Sequence, residues 1–524
     1  MKIFSKLSSK EKKEISIFLF FRLIFIFCPQ SVSILSGAEK SFSDCLSSEE
    51  MTVVSSHQIL VNGKPLKYKA RTGFLPICDQ FGEIKARFFY MAYTLEETKS
   101  STRRPLTFAW QGGPGASSSL LHLGLLGPRR AKTLSEYSSP PPPFEIVDNE
   151  QTWLNFTDLV LVDPVGTGYS YPLKPEYGNL FWGVKQDIDS ITEFIRIYLT
   201  HYDALNVPIF LVGESYGTFR AAGVAEKLLQ KGFCVEGVIL ISCVLDMREK
   251  GDLSFVFTLP SLTASAFFHK KLEPELQKDF LKAVQQAEEW AENEFIVALI
   301  KGDRLRREER EAAIKKMARF TGLSLEFIEK NNLRIGKEQF SQKLLEAEKK
   351  FLGHYDARVT GESEGGAYDP TKDPSLKSNG ISELIVPYLR SELGFKIDSF
   401  YKGPFGGFWP PSSAPRGDWM AYRWEWGSIL DPKLDMSPEL ASAMRKKPDL
   451  RVFVASGYYD LATPYFATES TLSRMGLSPE LRANVIHKVY HGGHMMYFDN
   501  DVRIELTRDA ASFFKAALEK EERK

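Results

Sequence analysis

The sequence has no excess of charge of either sign: Lys+Arg and Asp+Glu each total 67, a formal net charge of zero. That balance argues against a nucleic-acid partner, because neutralising a phosphate backbone takes a basic surplus. Cysteine is scarce, at 5 of 524 residues, and a chain of this size has no need of disulfides to hold its core. Internal repeats and long low-complexity tracts are lacking, which excludes a repeat array. Also missing is an apolar run long enough to span a bilayer. The run from Ile15 to Phe27 covers about 13 residues and is broken by Ser16 and Arg22, against the ~20 that a spanning helix needs.

That short run has another reading. Lys2, Lys6, Lys10, Lys12 and Lys13 precede it, and Ser36-Gly37-Ala38 come after it with small residues. A positive start, a short apolar centre and small residues at the end make an export signal. Residues 1–38 are therefore expected to be a cleaved signal peptide, giving an exported protein, periplasmic or secreted, with no stable membrane association afterwards. Removal of the signal leaves Cys45, Cys78, Cys234 and Cys243, which allow three pairings. Val235 to Ser242 reads as a strand, and at ~3.3 Å per residue it separates Cys234 from Cys243 by far more than a disulfide allows.

The composition is that of an ordinary globular protein, 43% hydrophobic and 26% charged. Apolar, β-rich runs recur at 86–92, 106–110, 158–163, 208–212, 235–242, 450–456 and 485–490. Several are nearly continuous rather than alternating, as in strands covered on both faces. Helical patterns lie between them. In 187–198, for example, Ile188, Ile191, Phe194, Ile195 and Tyr198 form one stripe. Strands alternating with helices imply a mostly parallel α/β sheet. After Asp246 the pattern becomes charged and helical, with Phe280, Val284, Ala287, Ala291, Phe295 and Ala298 at spacings of three and four. Residues 361–373 read as a loop. The expected organisation is a core in two parts, 39–246 and 441–524, with a helical cap, 247–440, inserted between two strands.

The chemistry gathers at strand ends. Gly213-Glu214-Ser215-Tyr216-Gly217 follows one apolar run and opens a helical one, the setting of a Gly-x-Ser-x-Gly nucleophile elbow. A serine nucleophile needs a base, and the base an orienting acid. Asp460 follows the 450–456 run through Gly457-Tyr458-Tyr459, and His494 follows the 485–490 run through His491-Gly492-Gly493. The order Ser, Asp, His is that of α/β-hydrolases. Among eight histidines, His491 is the rival for the base. An oxyanion needs two fixed N–H groups. One belongs to Tyr216, and the other to the Gly-rich loop Gln111-Gly112-Gly113-Pro114-Gly115, directly after 106–110. That loop lacks the Gly-Lys-Ser/Thr ending of a phosphate loop. His491 and His494 lack a third ligand nearby, so neither a metal nor a cofactor is assigned.

These motifs together resemble one family. Gly112-Gly113-Pro114-Gly115 with Ser117-Ser118 resembles the oxyanion loop of the serine carboxypeptidases (peptidase family S10). Asp163-Pro164-Val165-Gly166-Thr167-Gly168-Tyr169-Ser170-Tyr171, Gly213 to Gly217, Gly457 with Asp460, and Gly493-His494-Met495 are similar to its other motifs, in the same order. The resemblance implies an α/β-hydrolase fold and cleavage of C-terminal residues from a peptide substrate. Ser215 would be the nucleophile, His494 the base and Asp460 its orienter. Gly113 and Tyr216 would hold the oxyanion. Gln111, Gly112, Glu214 and Met495 would bind substrate, with Gln111 and Glu214 on its terminal carboxylate. Two departures stand out: Gln111 replaces the family's usual asparagine, and Leu125 falls where its familiar enzymes carry a second glutamate. Arg358 is a candidate to make up the loss. The alternative is an esterase or acyltransferase using the same triad. No family motif falls within 247–440, a segment whose length resembles bacterial members.

Overall fold

β-Branched and aromatic residues build a ten-stranded sheet, with nine strands in a row. We name these β1 (Val53–Val61), β2 (Lys64–Cys78), β3 (Ile84–Leu95), β4 (Leu106–Trp110), β5 (Asp158–Val162), β6 (Ile209–Glu214), β7 (Val235–Ile241), β8 (Arg451–Gly457) and β9 (Val485–Tyr490). Their spatial order is β1-β2-β3-β5-β4-β6-β7-β8-β9, and the two-residue strand Tyr171–Pro172 pairs beside β3. The pairings among the first four in that order are antiparallel. From β5 onward every pairing is parallel. The structure is a computed structural model that describes residues 51–96, 104–133, 141–248, 251–363, 365, 368–369, 372–376, 380–404, 424–428 and 431–519. The expected export signal and Cys45 lie outside the described residues.

Successive strand residues face opposite sides of the sheet, and each side has its own core. Phe88, Tyr90, Leu211 and Leu240 meet helices α1 (Val184–His201) and α2 (Tyr216–Gln230) on one side. Phe89, Met91, Phe210 and Ile239 meet the C-terminal helix, Asn500–Leu518, on the other. Burial on both faces explains why these strands read as continuous apolar runs. β1 and β2 were not among the runs read from the sequence. β1 and the first half of β2 alternate instead: in β1, exposed Val54, Ser56, Gln58 and Leu60 are interleaved with more buried neighbours, while Thr72 to Ile77 of β2 are buried throughout.

Between β7 and β8 the chain leaves the sheet. Helices α3 (Asp252–Phe268), α4 (Phe280–Trp290) and α5 (Arg307–Thr321) enclose a third core of Leu262, Ala287, Phe295, Met317 and Phe340. It extends onto Tyr459 and Leu461, in the loop after β8. The insertion does not stay together throughout. Ile381, Tyr388 and Phe395 return to the second core of the sheet, and Met436 to Met444 return to the first. Gly361, expected in a loop, pairs with Phe351 in a two-stranded ribbon. Cys78 is disulfide-bonded, and Cys234 and Cys243 are not bonded to each other, as expected from the strand between them. Among the described residues no helix is long and apolar enough to cross a membrane.

Candidate active site

Ser215 links β6 directly to α2 with φ +56° and ψ −129°, a conformation that costs a non-glycine residue energy and is held by its surroundings. Its N–H donates to Ile241 O at 3.0 Å, and Thr218 Oγ1 donates to Ser215 O at 2.7 Å. The turn leaves no room beside it. A Cβ on Gly213 would collide with Gly217 O, and one on Gly112 would stand 2.6 Å from Tyr216 N. The Gly112–Gly113 loop is thus pressed against the elbow. Tyr216 is the first residue of α2, where N–H groups have no partner within the helix.

Asp460 and His494 meet at the carboxyl end of β8 and β9. His494 Nδ1 lies 2.7 Å from Asp460 Oδ2. Three further donors fix the carboxylate: Ala462 N and Thr463 N at 2.8 Å, and Thr463 Oγ1 at 2.6 Å. Burial pushes the Asp460 carboxyl up, but the His494 charge and the hydrogen bonds from His494 and Thr463 outweigh it and hold the group below its usual range. His494 is the mirror case. Burial works against its charged form, while the Asp460 carboxylate and hydrogen bond raise it above 6.5. With Nδ1 turned to Asp460, Nε2 is left to exchange a proton. Among the described residues Ser215 Oγ makes no hydrogen bond to His494, a contact that is commonly loose until substrate binds. His491 is elsewhere, packed 4.6 Å from the Phe280 ring centre.

Segment 354–357 of the insertion is stitched to both loops. Leu461 N donates to His354 O and Ala357 N to Tyr459 O, each at 2.9 Å, and His494 N donates to Tyr355 O at 2.5 Å.

Next to Ser215 in the chain, Glu214 is fully buried. Gln111 Nε2 donates to its Oε1 at 2.5 Å, and Tyr497 Oη to its Oε2 at 2.6 Å. Burial lifts the carboxyl to about 7, against the His494 charge and the two donors. Gln111 therefore reaches Glu214 despite its extra methylene. Leu125 is buried and apolar, so a tyrosine hydroxyl, not a second carboxyl, is the other partner of Glu214. Sequence reasoning missed Tyr497, whose one signal was its place three residues after His494. It missed Thr463 as well. Arg358 is corrected: its guanidinium is bound to Asp356, Asp499 and His491 O, so it is engaged within the protein. Met495 is partly buried at the edge of the second core. Asp163, from the motif after β5, braces the Gly-rich loop by accepting from Ser118 N at 2.8 Å. Trp424 and Trp426 stand edge-on to the Tyr216 ring at 5.4 and 5.9 Å.

Residues 61–258 match the serine carboxypeptidase family model, a stretch that holds the Gly-rich loop and Ser215 and ends before Asp460 and His494. The retinoid-inducible serine carboxypeptidase of Rattus norvegicus is 28% identical over 155 residues, 28% of this chain and 30% of that protein. Serine carboxypeptidase-like 45 of Arabidopsis thaliana is 28% identical over 176 residues, covering 32% and 34%. The chain thus spans about a third or less of these relatives' length. The crystal structure of the prohormone-processing carboxypeptidase Kex1 from Saccharomyces cerevisiae aligns with a TM-score of 0.50 at 15% identity, over 86% of this chain and 91% of that one. The fold is the α/β-hydrolase fold.

Thr463 gives a direct test of the acid's support. Thr463→Val removes one hydroxyl donor from Asp460 and keeps the backbone donor. One net hydrogen bond to a charged group corresponds to a loss of about tenfold in kcat/KM. Steady-state rates with circular dichroism as a folding control will show it.

Proposed function

We propose that this protein is a serine-type carboxypeptidase that removes C-terminal residues from peptides through an acyl-enzyme on Ser215. The observation carrying this reading is the buried Glu214–Gln111–Tyr497 network next to the triad, because a terminal carboxylate needs donors at one fixed distance from the scissile bond. In the proposed reaction, His494 Nε2 takes the Ser215 proton as Oγ attacks the carbonyl. Asp460 stabilises the imidazolium. The N–H groups of Gly113 and Tyr216 hold the oxyanion. His494 then protonates the departing amine, and a water molecule activated by the same nitrogen releases the acid product. Gln111 and protonated Glu214 donate to the substrate's terminal carboxylate, beside Gly112 and Met495. The helical part of 247–440 serves as the cap, and its length supports a bacterial-type member.

Leu125 favours a second reading: without a paired carboxyl, the same triad suits an esterase or acyltransferase. The discriminating test compares peptides with free and amidated C-termini, alongside labelling of Ser215 by a fluorophosphonate. A free-acid preference supports the first reading, and equal rates on both forms support the second.

Export belongs to the same proposal. Expressed in a Gram-negative host, the mature chain is expected to begin near Glu39 and to fractionate outside the cytoplasm, as N-terminal sequencing will establish. A mature chain that keeps residues 15–27 and pellets with membranes would mean an anchor instead.

A further inference from the structure

A cavity of about 610 Å³ lies beside the triad, lined by Thr463 but by neither Ser215 nor His494. Its position along the sheet is informative. Ser215 stands at the end of β6, between β4 and β7. Gln111 follows β4 and donates to Glu214, the last residue of β6, whereas the cavity is walled by Val244, which follows β7, and by Thr463, which follows β8. By strand order Gln111 and the cavity are thus on opposite sides of the nucleophile, with Tyr497 reaching Glu214 from the loop after β9. A peptide whose terminal carboxylate lies on Gln111 would place its preceding residues over the cavity.

The walls are mixed. Leu245, Phe257 and Pro464 are apolar, and most of the charge is already spoken for within the protein. Asp246 is held by Arg248 at 2.9 Å, and Asp252 by Arg334 at 2.7 Å. Glu338 is exposed to solvent, which screens it. Lys337 is different. Among the described residues it has no ion pair, and its Nζ donates only to Ala462 O, at 3.4 Å. Ala462 is two residues from Asp460 and also lines the cavity.

We propose that this cavity receives the acyl half of the substrate and that Lys337 selects an acidic side chain there. The inference rests on the carboxypeptidase reading and adds a substrate class to it. Behind burial, Asp460 and Glu214, the Lys337 charge is the smallest influence on the His494 pKa, and it acts to lower it. An acidic residue docked on Lys337 would offset that effect during turnover.

The test uses N-acylated dipeptides with Glu, Gln or Lys before a common C-terminal residue, each as free acid and as amide, with kcat/KM measured near neutral pH. Wild type is expected to prefer Glu to Gln by roughly fivefold to tenfold, the scale of one partly screened ion pair, with Lys poorest. Lys337→Arg should keep the order, Lys337→Met should bring the Glu and Gln substrates together, and Lys337→Glu should reverse it in favour of Lys. Circular dichroism will verify the fold of each variant. A wild-type Glu to Gln ratio near one, or a preference that survives Lys337→Met, overturns the inference. If either occurs while free acids are still cleaved faster than amides, the carboxypeptidase reading stands and only the role of Lys337 falls. If free acids have no advantage, or no peptide is cleaved, both fall together.

Discussion

Ser215→Ala, His494→Ala and Asp460→Ala will each lower kcat/KM by roughly 10⁴- to 10⁶-fold, with Asp460 at the smaller end. The three act as one unit, so the double variants should be little worse than the worst single one. Asp460 is expected to matter least because it touches no reacting atom. It holds the His494 ring by one hydrogen bond and stabilises its charge. A residual rate above that of water should persist in every variant, since the proposed oxyanion donors are backbone groups that these substitutions leave in place. His491→Ala is the control. Its ring packs against Phe280 and, among the described residues, makes no hydrogen bond to Asp460, and most of the rate should survive its loss. Should His491→Ala silence the enzyme and His494→Ala spare it, the assignment of the base is wrong.

The second large effect is in the pH dependence. Glu214 has a pKa raised to about 7 by burial, so it is protonated below that value and a carboxylate above it. Only the protonated form can donate a hydrogen bond to a substrate carboxylate. His494 has the opposite requirement: its pKa lies above 6.5, and it must be neutral to act as base. Cleavage of a free-acid peptide should therefore fall on the acid side as His494 gains its proton. It should fall again above about pH 7 as Glu214 loses its own. An amidated peptide lacks the terminal charge and should show the acid limb alone. The ratio of kcat/KM for free acid to amide is thus expected to drop by about tenfold per pH unit once Glu214 is ionised. Glu214→Gln should make that ratio independent of pH, because an amide donates at every pH. Tyr497→Phe should shift the decline to higher pH, since it removes a donor that stabilises the carboxylate. A wild-type ratio of one at all pH values would remove the carboxypeptidase reading.

Much of the site was legible because glycine and strand ends mark it. Ser215, the Gly-rich loop and Asp460 follow continuously buried strands, His494 follows a partly exposed one, and a parallel sheet presents such ends at one edge. What stayed hidden depends on pairing across the fold. Tyr497 is an ordinary loop tyrosine until the chain brings it to a carboxylate 283 residues earlier. β1 and the first half of β2 alternate because one face of that antiparallel margin is exposed. Gly361 looks like loop sequence because a two-stranded ribbon needs little apolar character. His494 is preferred to His491 on the sequence already, and in the structure it is His494 whose Nδ1 lies 2.7 Å from Asp460 Oδ2.

The stitching of residues 354–357 to both the acid loop and the histidine loop bears on how the enzyme could be redesigned. The far end of the insertion, around Arg307–Thr321, rests on its own core and is a region that could be shortened or exchanged between enzymes. The 354–357 stretch is not, because its backbone carbonyls anchor Leu461 and His494. A chimera that keeps all three triad residues but replaces those four would retain the chemical groups and lose their alignment. Any graft of a new cap onto this sheet therefore has to be cut outside that stretch, with its register to Tyr459, Leu461 and His494 preserved.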